Sequence, residues 1–164
     1  MNIILMGMPA SGKTTVAGIL CKALGAELVD TDALVVEKHG EINKIFEKFG
    51  EERFRDLESA AVEYASNKQD AVISTGGGCV LRKENVERLQ KSGKIIFLRT
   101  SLNELLKRTE GDGARPLLKG EREERLKSLL AARTPLYESA ADFTVDTDGL
   151  TPKGIVNKIT EFLK

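Results

Sequence analysis

A short apolar run, Ile3-Ile4-Leu5-Met6, leads straight into Gly7-Met-Pro-Ala-Ser-Gly-Lys-Thr-Thr15. This is the phosphate-binding pattern Gly-x-x-x-x-Gly-Lys-[Ser/Thr], set where its chemistry needs it, after a buried strand and at the start of a helix. Glycine lets the backbone curl so that successive N–H groups face a di- or triphosphate, and the positive end of the helix dipole adds to the attraction. Gly7, Ala10, Ser11, Gly12, Lys13, Thr14 and Thr15 are therefore candidate nucleotide contacts. Lys13 can reach the β- and γ-phosphates, and the Thr14 hydroxyl can ligate Mg²⁺. The pattern implies nucleotide binding.

Periodicity then reads as strand and helix in alternation. Strands are expected at 2–6, 27–30, 71–75, 94–99 and 143–146. The first, third and fourth are continuous apolar runs such as Ile95-Ile96-Phe97-Leu98, as a parallel sheet covered on both faces requires. Helices are expected at 14–24, stopping at Gly25, from the capping box Ser101-x-x-Glu104 to about 109, and at 152–163. The fold class is α/β, a doubly wound α/β/α sandwich, and residues 1–164 form one domain. Two segments exceed what alternation needs. Residues 31–69 read as a substrate-holding helical pair, and the glycine-rich stretch 110–120, with one arginine, reads as a lid.

Composition narrows the class. A chain of 164 residues buries roughly two-thirds of its unfolded surface, enough for a real core. Lys and Arg balance Asp and Glu at 25 each, which argues against bulk binding to nucleic acid or membrane. The apolar N-terminus lacks a basic leader and is broken by Gly7 and Pro9, so it reads as a strand. Cys21 and Cys79 lack close spacing and read as free thiols in a reducing cytoplasm. The only histidine, His39, reads as a solvated residue at a helix end. A cytoplasmic monomer acting on small molecules is the expectation.

In an open α/β sheet, ligands sit at the carboxyl ends of the strands. There the sequence puts the phosphate loop, Asp30-Thr31-Asp32, and Ser74-Thr75-Gly76-Gly77-Gly78. Two carboxylates opposite a phosphate loop suit a kinase, one for Mg²⁺ or its water shell and one to take a proton from a hydroxyl. Aspartates also cap helices, and Asp32 could do both jobs.

These residues resemble the shikimate kinase family along nearly the whole chain. The resemblance rests on Asp-Thr-Asp at 30–32, Phe-Arg-x-Leu-Glu at 54–58, Gly-Gly-Gly at 76–78, Arg-Pro-Leu at 115–117 and Arg-x-Pro-Leu-Tyr at 133–137. It implies ATP-dependent phosphorylation of the 3-hydroxyl of shikimate in aromatic amino-acid biosynthesis. It also implies a P-loop, nucleoside-monophosphate-kinase-like fold with a five-stranded parallel sheet, an acceptor-binding helical region and a closing lid. Arg55 and Arg133 would grip the shikimate carboxylate, since a planar guanidinium offers two parallel donors. Asp32 would bind the hydroxyls and orient or deprotonate the attacking one, with the backbone of Gly76, Gly77 and Gly78 beside it. Phe46 and Phe54 would wall the pocket, although ordinary core packing also fits Phe46. Arg115 would close over the phosphates, and Arg108 and Pro152 would meet adenine. Mg²⁺ would be held by Thr14 directly and by Asp30 through water.

Departures from the family pattern are mild. Met8-Pro9-Ala10 stands where glycine is more usual, Thr14 replaces the commoner serine, and the lid has one arginine, with Lys119 and Arg122 supplying further charge. Cys79 directly follows the glycine triplet, so bound shikimate is expected to shield it from alkylation. Two other readings stay open. One is a kinase of the same fold for another acceptor, such as gluconate or a nucleoside monophosphate. The other is a regulatory module that has lost catalysis, which intact Lys13, Asp32 and Arg115 speak against.

Overall fold

Five short strands and eight α-helices make up the computed structural model, which describes residues 1–109 and 119–164. The lid segment and Arg115 fall outside the described residues, save that Lys119 and Gly120 open a helix. The strands are β1 (Asn2–Met6), β2 (Leu28–Asp30), β3 (Val72–Ser74), β4 (Gly93–Arg99) and β5 (Phe143–Asp146). All pairings are parallel, in the order β2-β3-β1-β4-β5. The helices are α1 (Lys13–Leu24), α2 (Thr31–His39), α3 (Ile42–Phe49), α4 (Glu51–Ser66), α5 (Lys83–Ser92), α6 (Leu102–Thr109), α7 (Lys119–Ala140) and α8 (Pro152–Leu163).

Alternation along each strand builds the layers. Ile4, Met6, Ile73, Ile95 and Phe97 point to one face, where α4, α5, α6 and α7 supply Val62, Leu89, Leu105 and Tyr137. Ile3, Leu5, Val72, Ile96 and Leu98 point to the other, where α1 and α8 supply Val16, Leu20, Ile155 and Ile159. Continuous apolar runs are thus explained by burial on both sides. Each such side chain contributes about 1.5–3 kcal/mol by leaving water.

Residues 31–69 hold three helices, α2, α3 and α4, where a pair was expected. Gly40 and Gly50 make the difference. Both have left-handed φ, 84° and 86°, and each cuts the helix that precedes it. The three helices share a small core of their own, Val35, Ile45, Phe54 and Ala61. His39 ends α2 in solvent, as the sequence suggests.

The Ser101 capping box is only half made. Ser101 Oγ accepts from the Glu104 N–H at 3.2 Å, but the Ser101 N–H donates to Asp148 Oδ1 at 3.1 Å. Glu104 is thereby left to pair with Arg108, whose Nε is 3.3 Å from Glu104 Oε1.

Helix α5 passes into β4 with no connecting residue, because Gly93 is both the helix C-cap and the first residue of the strand. Gly93 lies opposite Asn2 in the β1–β4 ladder, and a Cβ there would overlap the Asn2 carbonyl. That neighbour is backbone in the middle of the sheet and cannot step aside. Gly93→Ala is expected to cost about 1–3 kcal/mol, the range of overpacked cores, towards its upper end. Urea titration checks this, and an unchanged midpoint would disprove the clash.

Candidate active site

The phosphate loop leaves β1 and enters α1 through Gly12, whose φ of 93° a side chain would resist. Ala10 accepts a φ of 68°, an uncommon backbone state for a residue with a Cβ. Gly7 is needed for space, since a Cβ would stand 2.8 Å from the Leu98 carbonyl oxygen and 3.0 Å from Ser11 Oγ. Lys13 folds back over this loop. Its Nζ donates to the carbonyls of Gly7 at 2.7 Å and Met8 at 2.9 Å. Burial holds its pKa down to about 8, against the pull of Asp32 and Asp30. Ser11 Oγ is buried without a partner among the described residues. The donor set suits a phosphate: loop N–H groups, a buried cation and the exposed Thr14 and Thr15.

A cavity of about 710 Å³ opens over this loop. It brings Ala10, Ser11, Gly12, Lys13, Thr14 and Thr15 together with Asp30, Asp32, Gly77, Arg108 and Pro152. Arg108 also donates to the Ala10 carbonyl at 3.2 Å, so α6 is tied to the loop itself. Pro152 starts α8 behind the Thr151 cap, whose Oγ1 accepts from the Gly154 N–H at 3.0 Å. Arg108 and Pro152 therefore flank the loop at one end of the cavity, and the carboxylates stand at the other.

The two aspartates stand in different settings. Asp30 is the N-cap of α2, and its Oδ1 accepts from the Ala33 N–H at 3.0 Å. Asp32 lies in the first turn of α2, beside the cavity. Burial, then the charge of Asp30, pushes the Asp32 carboxyl up, while Lys13 and Arg55 pull it down.

Beyond Asp32 the glycine turn is wrapped by side chains. A Cβ on Gly76 would sit 2.5 Å from Asp32 Oδ1 and 2.9 Å from Glu58 Oε2. One on Gly77 would sit 3.2 Å from an Arg133 nitrogen, and one on Gly78 would overlap the Arg55 guanidinium. Glycine is required here by what leans on it. Arg55 Nη1 donates to Glu58 Oε1 at 2.9 Å, and its carbon lies 5.2 Å from the Phe54 ring centre. Arg55 Nε is buried without a partner among the described residues. Tyr137 donates its hydroxyl to the Gly77 carbonyl. Burial pushes its phenol up to about 12, while the Arg133 charge pulls it down.

Asp32, Arg55, Arg133 and the three glycines thus meet at one place, beside the loop. Phe46 and Phe54, like Arg55, Arg133, Gly76 and Gly78, do not line the cavity itself. Their rings are 4.9 Å apart in the small core of the α2–α4 region, where Phe54 is buried and Phe46 half-buried. Two residues escaped the sequence reading although its motifs contain them. Glu58 is buried and pairs with Arg55, and its carboxyl is raised chiefly by burial. Tyr137 anchors the glycine turn from α7. A glutamate three residues after an arginine on one helix was the available signal.

Cys79 corrects the expectation of a shieldable thiol. It is fully buried and its thiol is pushed up to about 12 by burial, so slow alkylation is expected even without shikimate.

Known proteins match this chain over nearly its whole length. A family model described as shikimate kinase matches residues 9–164. The shikimate kinase of Thermodesulfovibrio yellowstonii is 48% identical over 160 residues, spanning 96% of this chain and 92% of that protein. That of Caldicellulosiruptor bescii is 44% identical over 160 residues, again spanning 96% and 92%. Among solved structures, shikimate kinase from Acinetobacter baumannii in complex with shikimate superposes with a TM-score of 0.91 at 36% identity, covering 99% of this chain and 92% of that one. With a phosphate loop, a carboxylate and two arginines gathered on one glycine turn, and relatives that match almost from end to end, this chain belongs to the shikimate kinase family.

Proposed function

We propose that this chain transfers the γ-phosphoryl group of ATP to the 3-hydroxyl of shikimate, giving shikimate 3-phosphate and ADP on the route to aromatic amino acids. The observation that carries this reading is the meeting of Asp32, Arg55 and Arg133 on the Gly76–Gly78 turn, one strand away from the phosphate loop. Arg55 and Arg133 hold the acceptor carboxylate, and the glycine backbone receives its ring hydroxyls. Asp32 orients the 3-hydroxyl and takes its proton as the oxygen attacks the γ-phosphorus. The bond from that phosphorus to the bridging oxygen breaks, and ADP leaves. Lys13 leaves its own loop carbonyls to meet the negative charge that grows on the phosphoryl oxygens. Arg115, from the lid proposed at 110–120, adds a second cation there.

Thr14 and Asp30 suit Mg²⁺, the first as a direct ligand and the second through water. Mg²⁺ keeps several waters in such sites, so one hydroxyl and one carboxylate suffice from the protein. Held by Thr14, and by Asp30 through water, Mg²⁺ would offset the negative charge of the ATP phosphates. The reading takes residues 1–164 as one kinase domain working as a cytoplasmic monomer, in keeping with two unpaired thiols. Among the described residues no helix is long and apolar enough to cross a membrane.

An acceptor panel coupled to ADP release tests the proposal. Shikimate is expected to be turned over far better than gluconate or nucleoside monophosphates, and faster gluconate turnover would overturn it. Lys13 adds a pH test. Its pKa is about 8 in the free enzyme, and incoming phosphates favour the cation, so ATP binding takes up a proton only above that pH. The KM for ATP is expected to hold steady below about pH 8 and to rise above it, as the group held at about 8 loses its proton. Folding runs the opposite way. The unfolded lysine holds its proton up to its ordinary value of 10.5, so this group adds stability as pH climbs from about 8 to 10.5. Calorimetry in two buffers of different ionisation enthalpy reads the proton uptake, and none at about pH 9 would refute the assignment.

A further inference from the structure

Arg82 stands outside the site, at the N-cap of α5, where the glycine turn has just passed through the 3₁₀ turn Cys79–Leu81. Its guanidinium reaches back to α4 and holds three residues there. Nη2 lies 2.8 Å from Glu52 Oε1 and 3.0 Å from Asp56 Oδ1, and Nη1 donates to Ser59 Oγ at 3.2 Å. Positions 52, 56 and 59 form one stripe along a helix, and positions 51, 55 and 58 form the next stripe, about 100° around the axis. That second stripe is Glu51, Arg55 and Glu58, with Arg55 paired to both acids at 3.4 and 2.9 Å. The stripe that Arg82 grips therefore sets the rotation at which the neighbouring stripe presents Arg55 to Gly78.

The near end of this tie is firm as well. Cys79 N–H donates to the Gly76 carbonyl at 3.1 Å, and Leu81 N–H to the Gly78 carbonyl at 3.1 Å. The buried Asn85 Nδ2 donates to the Cys79 carbonyl at 3.0 Å, and its own N–H donates to the Arg82 carbonyl at 3.1 Å. The chain from Gly76 to Asn85 is thus tied together by its own hydrogen bonds, with the Arg82 side chain as its only ion-paired arm to α4 among the described residues.

We infer that Arg82 is a positioning residue for the acceptor: it pins α4 against the glycine turn so that Arg55 meets the acceptor carboxylate in register. The inference rests on the proposed role of Arg55. Glu52 and Asp56 are largely exposed, and such pairs add little to stability. The expected signature is therefore kinetic. Arg82→Ala should raise the KM for shikimate about tenfold, equivalent to about 1.4 kcal/mol. The KM for ATP and kcat should stay within about twofold, and thermal stability should fall only slightly. Arg82→Lys should recover part of the loss.

Arg55→Lys, measured alongside, separates the pin from the reading beneath it. If Arg55→Lys raises the shikimate KM and Arg82→Ala does not, the pin is wrong and the Arg55 assignment stands. If neither does, both fall. In the Arg55→Lys background, Arg82→Ala should add less than about twofold, because it acts through the group already changed. Fully multiplicative losses would overturn the inference. Should Arg82→Ala fail to fold, the double variant Glu52→Gln/Asp56→Asn releases the same arm and must give the same selective rise.

Discussion

Asp32→Asn is expected to bind ATP as the parent does and to lose turnover by about 10²–10⁴-fold, the span that a positioned proton acceptor supplies. Asparagine keeps the size of the side chain and can still touch a hydroxyl, but it cannot take the proton. The surroundings favour this role. Partial burial and the charge of Asp30 raise the carboxyl's affinity for a proton, while Lys13 and Arg55 keep the charged form in reach. ATP affinity should be largely spared, because Asp32 bears on the loop only through its charge at Lys13. Titration calorimetry with a non-hydrolysable ATP analogue and a stopped-time assay for the product read the two properties separately. Turnover near that of the parent would remove Asp32 from the chemistry altogether.

Lys13→Ala should lower kcat by about 10²–10³-fold, comparable with deleting one fixed donor at a developing oxyanion. In the free protein the ammonium is satisfied by the carbonyls of Gly7 and Met8, so its charge is already at the site before phosphate arrives. Removing it takes away a pre-placed charge and leaves two loop carbonyls without their donor. The fold should survive, because burying that cation is itself unfavourable, as its lowered pKa records. Single-turnover rates at saturating ATP isolate the chemical step, and a rate within tenfold of the parent would contradict this account.

How legible the molecule was depended on what enforced each feature. Strands β1 and β5 and helix α8 lie where the residue pattern puts them, since local burial and capping decide those elements. The expected limits of β2, β3 and β4 differ by a residue or two, at ends set by ladder partners the sequence does not display. The order β2-β3-β1-β4-β5 was equally hidden, because every apolar strand reads alike until its neighbours are known. The helix end at Gly40 was legible through His39, whereas Gly50 was visible as a letter but not as a helix break. The Ser101 box misled because Asp148, 47 residues away, took the N–H that Glu104 was expected to satisfy. At the site, Lys13, Asp32 and the glycine triplet could be read from strand ends alone. Glu58 and Arg82 could not, since the partners of each lie on another turn or another helix.

The small core of Val35, Ile45, Phe54 and Ala61 is separate from the two large ones that clamp the sheet. Elements held by so few apolar contacts open at lower free energy than the body of a protein. On warming, amides of α3 should exchange with deuterium well before those of β1. Affinity for the acceptor should then fade at temperatures where the nucleotide is still held, so that heat damage begins as a loss of selectivity and not as a loss of structure.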